Sequence, residues 1–102
     1  MQGTPSQIEW AEIIKPRVDA EFTRVALAFR AAAANQAGSA RADTLTILEI
    51  LEDNRRQVLS NPSAGYFIST WGELHDQVRR HIAADPRFIA IKATRAAHNA
   101  LR

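Results

Sequence analysis

The feature that most constrains this chain is a run of apolar residues at Ile8, Ala11, Ile14, Val18, Phe22, Val25, Phe29 and Ala32. Their three-and-four spacing keeps one face of an α-helix in phase for about seven turns. The start of that helix is equally legible. Thr4 can cap it, Pro5 suits the first helical position, and Gln7 stands where a capping box places its return bond. Pro16 falls inside the run and removes the hydrogen bond to the Glu12 carbonyl, so the spacing predicts a kink between Glu12 and Lys15. Ala31 to Ala34 read as the last turn, closed by Gly38.

A stripe of this length needs other helices to cover it, and the remaining sequence supplies them. Asp43 is a good cap for a second helix carrying Leu45, Leu48, Leu51, Arg55 and Val58 toward Ser60, where Asn61-Pro62 interrupts. Pro62 to Ser69 suggests a short third helix, although Gly65 and the run Tyr66-Phe67-Ile68 also suit a strand. Thr70 and Glu73 form a second capping box, opening a helix with Trp71, Leu74, Val78 and Ile82 on one face. Asp85-Pro86 opens the last helix, whose packing side is expected to be Ile89, Ala93, Ala96, Ala97 and Ala100. The expectation is an all-α, compact bundle of about five helices with a long, kinked N-terminal helix. Its 102 residues suit one domain spanning 1–102.

Composition narrows the function. Without cysteine there is neither a disulfide framework nor a thiolate metal site, and a reducing cytoplasm fits. No segment approaches a membrane span, and MQGTPSQIEWAEII lacks a basic region followed by an apolar stretch, so a secretory leader is not expected. His75, His81 and His98 lack any compact ligand spacing, the four glycines are isolated, and no GxSxG motif occurs. Neither an enzyme nor a metal or other cofactor is expected.

Charge is uneven. Residues 1–37 sum to zero, 38–65 to −1 and 66–102 to +3, giving the net +2. Most acids have a basic neighbour close by on the same helix: Asp19 with Lys15, Glu21 with Arg17, and Asp76 with Arg79 and Arg80. The last helix differs, because after Asp85 it contains no acid. On a wheel, Phe88, Lys92, Arg95, Asn99 and Arg102 fall within about 80° of arc, opposite the alanines. With Arg79, Arg80 and Arg87 nearby, this face suits phosphates, with a base stacked on Phe88. Single-stranded nucleic acid is therefore a candidate partner, bound by Arg79, Arg80, Arg87, Phe88, Lys92 and Arg95. The near-neutral total argues against a DNA mimic. Trp10 and Ile13 lie off the main stripe and with Trp71 form a candidate protein-facing patch, which suits a helical adaptor or regulator.

The opening Gly3 to Ile14, GTPSQIEWAEII, resembles a helix-opening signature of small phage and mobile-element proteins. It has glycine, serine or threonine, two variable residues, then glutamine, an aliphatic residue and tryptophan-alanine. A later block of those proteins, roughly DAxxxIDxR, corresponds to Ser63 to Ser69 without its acidic and basic ends. The group includes an anti-CRISPR protein directed at a type I system. The resemblance implies a non-enzymatic inhibitor of a type I CRISPR effector. Its partner is then either a Cas subunit or single-stranded DNA in the effector complex.

Overall fold

The computed structural model describes residues 1–100. Five helices form: α1 (Pro5–Ala34), α2 (Gly38–Leu59), α3 (Ala64–Trp71), α4 (Gln77–Ala84) and α5 (Pro86–Ala100). The all-α architecture with a long leading helix is the expected one. The capping box is complete, since the Gln7 amide donates to Thr4 Oγ1 at 3.2 Å and the Thr4 amide donates to Gln7 Oε1 at 2.9 Å. The chain passes Pro16 without leaving the helix. Both Pro16 and Glu12 are exposed, so water can reach the carbonyl that the proline leaves without a donor.

The segment before α1 is tied to the loop between α2 and α3. The Gln2 amide donates to the Pro62 carbonyl at 2.6 Å, and the Ala64 amide donates to the Gln2 carbonyl at 2.8 Å. Gly3 adopts φ +148, and a Cβ there would lie 3.0 Å from Ala64 Cβ and 3.1 Å from Gln7 Oε1. Gly3→Ala is therefore expected to lower stability by about 1–3 kcal/mol through backbone strain. Thermal unfolding of the variant checks this.

Three boundaries differ from the sequence expectation, each for a physical reason. Gly38 does not close α1 but is the first residue of α2, which begins ahead of Asp43. Asn35 caps α1 instead, its side-chain amide donating to the Ala31 carbonyl at 3.3 Å. Thr44 anchors the early turn of α2, its hydroxyl 2.6 Å from Gln36 Oε1 and 3.1 Å from the Ala40 carbonyl. The capping box expected at Thr70 and Glu73 does not form, because Thr70 and Trp71 end α3 and α4 starts only at Gln77. Residues 62–69 are not strand-like. Ser63 caps α3, its Oγ accepting from the Tyr66 amide at 3.3 Å.

The α1 stripe is buried from Ala11 through Val25, meeting Ile47, Ile50, Leu51 and Val58 of α2, Phe67 and Trp71 of α3, and Val78 and Ile82 of α4. Near its end the stripe shifts by one residue, so that Ala33 is buried and Ala32 exposed. Trp71 is the centre of the aromatic core. It lies 6.0 Å from Phe22, stacks on His81 at 5.7 Å, and donates its indole N–H to the Tyr66 hydroxyl at 3.1 Å. Leu45 and Leu74, expected in the core, are exposed. Arg55 of the expected α2 stripe is half-buried, its guanidinium over the Phe22 ring and 3.6 Å from Asp19. The bundle is rod-shaped, 58 × 23 × 19 Å, with a radius of gyration of 16.5 Å. A spherical domain of this length would have about 13 Å. The long α1 and α2 set the axis, so α1 presents an extended outer face to solvent.

Candidate binding surfaces

On α5 the structure reverses the expected sides. Phe88 and Ile91 pack half-buried against the core, whereas Ile89, Ala93, Ala96, Ala97 and Ala100 point outward. Volume decides this: a phenyl ring and an isoleucine bury more area than methyl groups do. Phe88 is consequently not a free stacking ring. Lys92 Nζ also lies 5.7 Å from its centroid.

The basic candidates are split between two situations. Arg87 donates from Nη1 to Asp53 Oδ2 at 2.9 Å and from Nε to Asp85 Oδ1 at 3.1 Å. Arg95 Nε donates to Asp43 Oδ2 at 3.2 Å. Arg79 lies 3.7 Å from Asp76. Arg80 and Lys92 have no acid at ion-pair distance among the described residues. Arg102, assigned to the same face, lies outside the described residues. Asp43 and Asp53 of α2 were not legible as partners of α5, since pairing across the fold leaves no local spacing signal. The expected Asp76–Arg79 pair forms, whereas the two expected on α1 are rearranged. Glu21 is held by Arg24 at 2.9 Å rather than by Arg17, and Lys15 lies 5.9 Å from the Phe67 ring rather than on Asp19.

Three of these contacts shift the acid they engage. The Arg87 guanidinium holds Asp53 below the ordinary carboxylate value, and the same side chain together with the Arg87 amide does so for Asp85. Glu21 is lowered chiefly by its hydrogen bond from Arg24. Because the native values are depressed, the stabilisation is complete above the unfolded values and lost as the pH falls through the native ones. Melting temperatures measured across an acid titration are expected to be level above about pH 5 and to fall below about pH 4. High salt should flatten that decline, since all three ion pairs are partly open to solvent.

The other surface is on α1. Trp10 is 54% exposed and Ile13 is 53% exposed. They are three residues apart and so adjacent on one face, with exposed Arg17 on the next turn. Trp10 also edges a groove of about 510 Å³ whose other walls include Ile68, Thr70, Glu73, His75 and Gln77. Gln77 shapes that wall. Its amide donates to the Thr70 and Glu73 carbonyls at 3.2 and 2.9 Å, and its Oε1 accepts from the His75 amide at 2.7 Å. Trp71 is 1% exposed and cannot belong to this patch. Its indole serves the core instead.

The three histidines do not converge. His75 lies 3.5 Å from Glu73 at the surface, His81 stacks on Trp71, and His98 is exposed on α5. Among the described residues no group of three or more histidine, cysteine or acidic side chains could hold a metal ion. Nor is any described helix long and apolar enough to cross a membrane. Comparison with protein families, curated proteins and solved structures found no match.

Proposed function

We propose that this chain is a non-enzymatic inhibitor of the anti-CRISPR kind. It docks on a protein, a Cas subunit of a type I effector, through Trp10 and Ile13 on the outer face of α1. The observation that carries the docking half is what the fold leaves over from the opening motif. Gly3 meets Ala64, Thr4 and Gln7 close the cap, Ile8 packs on the core and Ala11 is fully buried. Trp10 alone has no such task and stands in water. An indole beside an isoleucine on a rigid helix is the kind of group that dominates protein interfaces. The resemblance of that same motif supports the choice of target. A helical adaptor would use the same face on a different partner.

The test uses a purified type I effector and its target DNA. Excess chain is expected to block cleavage. Full cleavage at saturating chain removes the inhibitor reading and leaves the adaptor.

A second reading, occupation of single-stranded DNA in the effector, is favoured by a separate observation. Arg80 and Lys92 are unpaired among the described residues, and α5 carries no acid beyond Asp85. It predicts retention of single-stranded DNA in a mobility shift at low salt and its loss at high salt. No retention at low salt removes this reading.

A further inference from the structure

Of the five helices described, α5 is the one that buries no residue. Its neighbours are α2 and α4 only. Phe88 and Ile91 seat its first half on the core, and beyond Ile91 every described residue is exposed. What ties the rest to α2 is charge. Arg87 reaches Asp53 at 2.9 Å and Arg95 reaches Asp43 at 3.2 Å. The order is reversed between the two helices, so they run antiparallel, and the pairs mark the ends of a contact about 12–15 Å long. All four side chains are partly exposed, and pairs of this kind are weak and yield to salt. The helix is rich in alanine, but 15 residues alone are marginal in water, so its distal turns depend on the contact with α2.

We propose that Asp43 and Asp53 act as an internal mask, holding Arg95 and Arg87 where the phosphates of single-stranded nucleic acid would bind, so that α5 is a latched polyanion-binding helix. The inference rests on the second reading above. Competition is built into the geometry, because Arg87 already directs its fork to Asp53 and Asp85 and has few donors left for a phosphate. Once released from α2, Arg87, Lys92 and Arg95 form a cationic stretch with no acid between them. The bound state is then only fractionally available in the free protein, and apparent affinity is reduced by that fraction.

The test compares wild type with Asp43→Asn/Asp53→Asn in fluorescence anisotropy with a labelled oligothymidylate at low salt. The double variant is expected to bind about three- to tenfold tighter. A Glu9→Gln/Glu12→Gln variant loses the same charge at exposed positions of α1, which does not touch α5, and is expected to bind like wild type. An equal gain in that control, or no gain in Asp43→Asn/Asp53→Asn, overturns the mask while leaving the nucleic-acid reading in place. Failure of every form to bind overturns the reading and the mask together. Hydrogen exchange without ligand scores the latch separately: amides of residues 92–100 should exchange several-fold faster in the Asp43→Asn/Asp53→Asn variant. Unchanged exchange overturns it.

Discussion

Trp71→Ala is expected to cost about 3–5 kcal/mol, the range for removing a large buried aromatic side chain. That is a large share of the roughly 5–15 kcal/mol that separates a folded domain from its unfolded state. The reason lies in how many elements this one ring joins. It ends α3, meets Phe22 of α1, stacks on His81 of α4, and gives its indole N–H to Tyr66. Removing it leaves a void where three helices meet, and the short α3 and α4 have little other packing with which to close it. Denaturant unfolding measures the loss. Trp71→Phe keeps a ring in place but orphans the Tyr66 hydroxyl, and should lose only about 1–2 kcal/mol. Equal losses for the two variants would mean that the ring's volume is not what joins these helices.

The second large effect concerns binding. Trp10→Ala combined with Ile13→Ala is expected to weaken association with the effector by at least about 30-fold, the scale of one interface hot spot. The same pair should leave stability within about 0.5 kcal/mol of wild type, because both side chains are more than half exposed. That contrast separates docking from folding. A calorimetric titration supplies the first number and thermal unfolding the second. A loss of binding that tracks a loss of stability would return both residues to a structural role.

Much of the architecture is legible in the residues, because it depends on local chemistry. The cap at Thr4 and the stripe from Ile8 to Phe29 specify α1 by spacing alone, and Pro16 alters one hydrogen bond without altering the phase. The departures occur where a distant contact outweighs a local signal. Asp43 looks like a cap, yet its carboxylate turns to Arg95 on α5. Thr70 and Glu73 look like a helix start, yet Trp71 stays in α3 because the core needs its ring. On α5 the wheel offers two apolar sides, and the count of alanines favours the wrong one. Bulk at Phe88 and Ile91 decides, together with acids on α2. The candidate surfaces follow the same division. Trp10 and Ile13 are legible because they sit off the main stripe of their own helix. The masking of Arg87 and Arg95 is not, since it depends on how α2 and α5 meet.

The most direct measurement of the central claim is a hydrogen-exchange footprint of the chain bound to a purified type I effector. If α1 docks through Trp10 and Ile13, amides of residues 9–20 gain protection on binding, those of α4 change little, and the Trp10→Ala/Ile13→Ala variant shows no footprint. Protection confined to α4 and α5, with α1 unchanged, would contradict protein docking through α1.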